Sequence, residues 1–357
     1  MTEHLQPLPV PSGVELETPA VLRLAARAHR ALAELKGAAS TIPNEAILID
    51  TLALQEAKDS SEIEDIITTE DLLFQGDVVS GQFPNAAAKE IHHYAAALKI
   101  GLAHVREQGF LRLDNVLEIQ AALEQNRAGL RKLPGTVLKN QNTGEVVYQP
   151  PQDPVVIEQL LANFLDHFHR DEPTDPDPLV RMAVLHYQFE SIHPFYDGNG
   201  RTGRILNLLH LVMHGLLDVP VLYLSRYIVR HKADYYRGLQ AVREDEAWEA
   251  WVRYMLSAVE ETARETLTKV HGIRNLMQTT KQRLRHDLPK IYSQDLLNNL
   301  FRHPYTKTEF VERDLGVSRP TAVKYLDALA AAGLVRKTKL GRTNFYINEP
   351  LFELLSR

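Results

Sequence analysis

The chain has 357 residues, 44% hydrophobic and 24% charged, with a formal net charge of −6 and no cysteine. That is the balance of a folded protein with room for two or three domains, and the missing thiols exclude disulfides, zinc–thiolate sites and cysteine nucleophiles. No run approaches the roughly 20 apolar residues of a membrane span, and the opening MTEHLQPLPVPSGVELETP lacks the basic and apolar regions of a leader, so a cytoplasmic protein with no membrane partner is expected.

Helical patterning begins near Glu17, with Val21, Leu24, Ala25, Ala28, Leu32 and Leu35 on one face, and stops near Gly37. A second helix is predicted from Asn44 to about Glu64, ending in KDSSEIEDI, which places Ser60 and Glu64 one turn apart on the same face. Further helical patterns cover 86–108 and 113–123. His92 and His93 are adjacent and point in different directions, so they read as ordinary helix residues rather than a shared metal site. The period then breaks. Thr136 to Leu138 and Val146 to Tyr148 are short β-prone runs with Asn142, Thr143 and Gly144 between them, a hairpin signal. Helices resume over 155–168 and 179–190. His186 reads as a structural histidine, and His210 and His214, four apart on the next helix, lack a third ligand nearby in sequence.

The segment 191–204 reads SIHPFYDGNGRTGR. One His, one acid two positions before an Asn, two Gly flanking that Asn and two Arg three residues apart form a mixture that packing does not ask for. Successive backbone N–H groups of Asp197, Gly198, Asn199 and Gly200 can point into one concavity, and the following helix presents its positive dipole end to the same place. A phosphate suits such a pocket. His193 would stand beside it as a general base acting on a nucleophile next to phosphorus, with a metal nearby.

The twelve residues HPFYDGNGRTGR resemble the signature of the Fic family, His-x-Phe-x-Asp/Glu-Gly-Asn-Gly-Arg-x-x-Arg, with every specified position met. The resemblance implies a mainly α fold: a Fic-type helical core with a β-hairpin flap, and a C-terminal winged-helix domain. On it the chain divides into an N-terminal region with an inhibitory helix (1–85), a catalytic core (86–258), a helical linker (259–288) and a winged helix-turn-helix domain (289–357). It also implies a protein adenylyltransferase that moves AMP from ATP to a Ser, Thr or Tyr hydroxyl of a target protein or of itself. Asp197 would hold Mg²⁺. Gly198, Asn199, Gly200, Arg201, Thr202, Gly203 and Arg204 would bind the phosphates, and Tyr236 would stack near the adenine. A nucleotide-contacting Asn of some members aligns with Arg243, so that contact is not carried over. The flap at 133–151 would hold the target by strand addition.

The Ser60 to Glu64 stretch resembles the family's inhibitory motif, Ser/Thr-x-x-x-Glu-Gly/Asn, with Asp65 in place of Gly or Asn. In that reading Glu64 pairs with Arg204 and blocks the γ-phosphate site, since an Arg–carboxylate fork takes the donors a phosphate needs. Two alternatives stay open: a hydrolase that removes AMP with Glu64 orienting water, and a DNA-binding regulator with a nucleotide-sensing core. From His271 to Arg357 there are 15 Lys/Arg against 8 Asp/Glu, a basic tail on an acidic body. Within it 308–315 and 319–332 are spaced as a helix-turn-helix, and 334–340 with 344–347 as a wing. Contact with DNA through 306–347 is an expectation on that basis: Arg319, Thr321, Lys324 and Tyr325 would face the groove, and Arg336, Lys337, Lys339 and Arg342 the phosphates. A homodimer stays open.

Overall fold

The computed structural model describes residues 5–76, 81–139 and 143–356. Most helices start where a short polar side chain can accept from the first free N–H groups. Thr18 accepts from Val21 N ahead of α1 (Pro19–Ala39), and Asn44 from Ala46 N ahead of α2 (Glu45–Ile63). The short α3 (Glu70–Gln75) follows, then α4 (Ala86–Gln108), capped by Asn85, and α5 (Leu113–Glu124). The hairpin has strands β1 (Leu138–Lys139) and β2 (Val146–Tyr148), antiparallel with Leu138 opposite Tyr148. Thr136 and Val137 lie just outside it, and Asn142, expected in its turn, lies outside the described residues.

Asp153 and Asp177 then cap α6 (Pro154–His169) and α7 (Pro178–Ile192), each with Pro at its first position. Helix α7 is the centre of the molecule. Every residue from Leu179 to Ile192 is buried, Arg181, His186, Gln188 and Glu190 included. It hands over through residues 193–198 to α8 (Asn199–Met213), which is buried almost as completely. Next come α9 (Leu224–Arg230), α10 (Lys232–Asp245) and α11 (Trp248–Asp287). Residues 259–288, expected as a helical linker, are the later part of α11. Its stripe of Ala263, Thr266, Val270, Ile273 and Met277 is buried, and the helix packs on α1, α7 and α9.

The last elements are α12 (Gln294–Arg302), β3 (Tyr305–Thr306), α13 (Thr308–Leu315), α14 (Arg319–Ala331), β4 (Arg336–Leu340), β5 (Thr343–Ile347) and α15 (Glu349–Ser356). The sheet order is β3-β5-β4, all antiparallel, with Leu340 opposite Thr343 across Gly341. Helix pair plus wing is the layout expected; α12, capped by Ser293, and the short β3 and α15 are further elements that were not predicted. These elements grip the N-terminal helices. Arg302 bonds Asp50 of α2 at 2.8 Å, Tyr305 stacks on Phe74 of α3, and the buried Lys269 of α11 caps α15 through Leu354 O and Leu355 O.

Several cations expected to face DNA are engaged within this unit: Arg319 with Glu309 (3.1 Å) and Glu312 (3.7 Å), Lys337 with Asp327 (2.7 Å), and Arg336 with Glu349. Lys324, Lys339 and Arg342 are exposed. Among the described residues no helix is long and apolar enough to cross a membrane.

Candidate active site

Helix α7 ends by placing His193 in the left-handed region, φ 48° and ψ 58°, with its N–H still donating to Phe189 O at 3.0 Å. A non-glycine residue there is strained by roughly 1–2 kcal/mol. The turn ends α7 at His193 and begins the loop that leads to α8. On the other side Gly198, at φ 76°, is the N-cap of α8, so the signature's Asn199 to Arg204 form its first two turns. The opening N–H groups of α8 have no partner inside the helix, and the positive end of its dipole faces the loop that runs from His193 to Gly198.

The loop is held rigid by side chains expected to serve the ligand. Asn199 Oδ1 accepts from Phe195 N at 2.8 Å and Asn199 Nδ2 donates to Phe195 O at 2.9 Å. Both polar ends of that amide are spent on the loop, which leaves the backbone of Asn199 for any anion. Asp197 Oδ1 accepts from Gly198 N at 2.8 Å, and the side chain is exposed.

Both arginines are occupied. Arg204, 1% exposed, donates from Nε to Ser60 Oγ (2.8 Å), and from Nη2 to Ser60 O and to Glu64 Oε1 (2.9 Å each). A Cβ at Gly200 would collide with the Glu64 carboxylate and lie 2.9 Å from Arg204 Nη1, so the glycine is the space in which that ion pair sits. Arg201 donates from Nη2 to Glu124 Oε1 at 2.8 Å and lies 3.4 Å from Glu90 Oε2. Glu124 closes α5 and fills the room a side chain at Gly198 would need. Burial pushes the Glu124 carboxyl up, against the pull of Arg201.

Asp65, where the family motif has Gly or Asn, sits at φ 62° and pairs with Lys232 at 3.0 Å. The helix end is therefore where it was expected, and the motif's preference has a cause: the residue after Glu64 turns left-handed, which Gly, Asn and Asp tolerate best.

Burial holds His193 down at about 4, helped by the neighbouring guanidinium of Arg131 and opposed by Glu64; its neutral form dominates at pH 7. Glu190, one turn earlier, is pushed up to about 7 by burial, against Arg204. His186 is structural, bonded through Nε2 to Tyr235 OH at 2.8 Å, and burial lowers it to about 3. His210 and His214 each bond a backbone carbonyl, and no cluster of three metal-ligating side chains exists among the described residues. A single exposed carboxylate, Asp197, suits Mg²⁺ that takes most of its ligands from phosphates and water.

Tyr236 is 47% exposed on α10 against the buried Tyr235. Arg243 lies 4.0 Å over the ring of Tyr148, whose OH donates to Ser191 O at 3.0 Å, so the flap is pinned to α7. Val146 and Val147 stay exposed on β2. Sequence reasoning did not single out Glu90, Glu124, Arg131 or Glu190; no local motif marks them, since their partners lie on other elements.

Comparison with known proteins gives three matches in tandem: the Fic/DOC family N-terminal profile over residues 22–103, the Fic/DOC family profile over 110–211, and the C-terminal domain of the SoFic-like protein adenylyltransferase over 276–351. The chain is 36% identical over 89 residues to protein adenylyltransferase fic-1 of Caenorhabditis briggsae, covering 25% of this chain and 16% of that protein. It is 37% identical over 78 residues to a probable protein adenylyltransferase of Aquifex aeolicus (strain VF5), covering 22% and 24%. The matches thus span about a quarter or less of those relatives. A Fic family protein from Desulfovibrio desulfuricans G20 has a similar fold, with TM-score 0.60 and 20% identity over 93% of this chain and 96% of that one. Fic-1 from C. elegans gives TM-score 0.51 at 20% identity, covering 70% and 73%.

Proposed function

The chain belongs to the Fic/DOC family, and from that premise we propose that it is a protein adenylyltransferase, autoinhibited by Glu64, that transfers AMP from ATP to a protein hydroxyl. The observation that carries this reading is the juxtaposition of a neutral, left-handed His193 with a helix start and two buried guanidinium groups. ATP is seated with its phosphates against the backbone of Gly198 to Gly200, its inner phosphates near Arg201 and its γ-phosphate at Arg204. Asp197 would hold Mg²⁺, which would supply charge neutralisation to the phosphates. Tyr236 offers a ring face for the adenine.

The target strand adds to β2, whose exposed edge reads main chain rather than sequence. His193 takes the proton from the docked Ser, Thr or Tyr hydroxyl as that oxygen bonds to the α-phosphorus; the bond to the bridging oxygen breaks and diphosphate leaves. Burial holds this base near 4, and the charge of bound phosphates raises it toward its task. Alignment and electrostatic clamping supply most of the acceleration in such in-line displacements.

The Glu64–Arg204 pair occupies the cation the γ-phosphate needs, which supports a resting, closed state. A reverse reading, removal of AMP, is favoured by one feature: Glu64 bonds Arg204 through Oε1, leaving its second oxygen to orient water. Release of AMP from a pre-modified target without ATP tests it.

Mass spectrometry after incubation with ATP and Mg²⁺ tests the main reading. A gain equal to AMP on the protein or a co-incubated target is expected, rising in Glu64→Gly and absent in His193→Ala. No gain in Glu64→Gly or over a panel of lysate proteins refutes AMP transfer; a gain in His193→Ala refutes the base.

A further inference from the structure

We propose that Arg131 is the positioning residue of this base: a single guanidinium ties the backbone of His193 to the root of the flap, so that base and docked hydroxyl are held in one frame. The inference rests on His193 being the base.

A left-handed His193 turns its own carbonyl away from α7, and the last carbonyls of any helix lack partners inside it. In a buried place those oxygens need a donor. Arg131 supplies it. The side chain is 0% exposed; Nε donates to His193 O at 2.7 Å and Nη2 to Ile192 O at 3.4 Å. The same Nη2 donates to Pro151 O at 2.8 Å, the residue that closes the flap segment. The backbone joins in, with Arg131 N donating to Pro194 O at 2.9 Å and Leu130 bridging to Phe195. Four consecutive positions around the base, Ile192 to Phe195, together with the flap root at Pro151, are thus indexed to Arg131 and its neighbour Leu130.

No carboxylate pairs with this guanidinium among the described residues, and burial disfavours its charge, with only the phenols of Tyr196 and Tyr148 among the titratable groups acting on it. Its Nη1 is buried without a partner. A buried cation without a counter-charge is an unusual choice for packing alone. Its field reaches His193, where it adds to burial in disfavouring the imidazolium; Arg243 on α10 acts the same way and Glu64 at the end of α2 opposes both. Arg131 therefore fixes the backbone that carries the ring and adds to burial in keeping it free of a proton.

The test uses the full chain in the Glu64→Gly background, with Arg131→Met and Arg131→Lys. For Arg131→Met, kcat for AMP transfer is expected to fall about 100-fold, with ATP affinity within about threefold because Arg201 and Arg204 are untouched. The acid limb of kcat should also move up by about one pH unit. Arg131→Lys keeps the charge but cannot fork across three carbonyls, so kcat falls while the acid limb stays. NMR titration of the His193 ring reads the same shift without turnover. Parent-like kcat and acid limb in both variants overturn the inference, and so does a loss of ATP affinity in parallel with kcat, which marks general collapse. Transfer that survives His193→Ala overturns the reading of the base instead, and absence of transfer in Glu64→Gly itself overturns the proposed function.

Discussion

Glu64→Gly frees Arg204 without dislodging it. The pair is one charge-assisted hydrogen bond of 2.9 Å between a guanidinium 1% exposed and a carboxylate 37% exposed. Such a bond contributes about 1.5–3 kcal/mol when buried; with a third of the carboxylate in water, screening trims that to about 1–2 kcal/mol. Arg204 keeps Ser60 Oγ and Ser60 O as anchors, so the cation stays at the proposed γ-phosphate site. At 1.4 kcal/mol per decade the apparent affinity for ATP rises about 5- to 30-fold. Stability falls by a similar free energy, which for a chain of this size lowers Tm by about 1–3 °C. Calorimetric titration of Mg²⁺–ATP into Glu64→Gly and its parent, both carrying His193→Ala to prevent turnover, reads the affinity. Arg204→Met in the same background should cancel the gain. Unchanged or weaker binding by folded Glu64→Gly would mean that the carboxylate only braces α2 and does not compete with nucleotide.

Three further outcomes follow from the same geometry. Asp65 is left-handed at φ 62° and its pair with Lys232 is largely exposed, so Asp65→Gly should stay within about 2 °C of the parent Tm while Asp65→Val loses about 2 kcal/mol and raises AMP transfer as the helix end frays; equal Tm for both would contradict the strain. Gly198→Ala puts a methyl into the Glu124 carboxylate at φ 76°, and a drop of about 2 kcal/mol in denaturant-derived stability together with loss of transfer is expected; a parent-like, active protein would show that the loop yields. Glu56 of α2, buried against Ser225, is pushed up to about 8 by burial. Its folded value lies above the unfolded one, so the stability it contributes is full below about 4.5 and drains as pH rises toward 8, by up to about 1 kcal/mol per unit. Glu56→Gln should flatten the Tm-against-pH curve over that window, and an unchanged slope would place the titration elsewhere.

The sequence by itself determined most of the longer helices, the signature and the end of α2, because each is written in residues a turn apart. Thr18 with Pro19, Asp153 with Pro154 and Asp177 with Pro178 start helices through contacts of two or three residues, and Gly198, Asn199 and Gly200 build the loop within one motif. Even the exception, Asp65, has a local cause in its backbone turn. Only the tertiary structure decided who occupies the arginines and who holds the base. Glu124 and Glu90 lie 77 and 111 positions from Arg201, and Arg131 lies 62 from His193. A hydrogen bond inside a helix follows from chain geometry alone, whereas a contact between helices depends on the register at which their faces pack, and that register is set jointly by the whole buried core. For the same reason the basic count of the C-terminal segment overstated its free charge: Glu309, Asp327 and Glu349 come against Arg319, Lys337 and Arg336 only once α13, α14 and the wing have folded together.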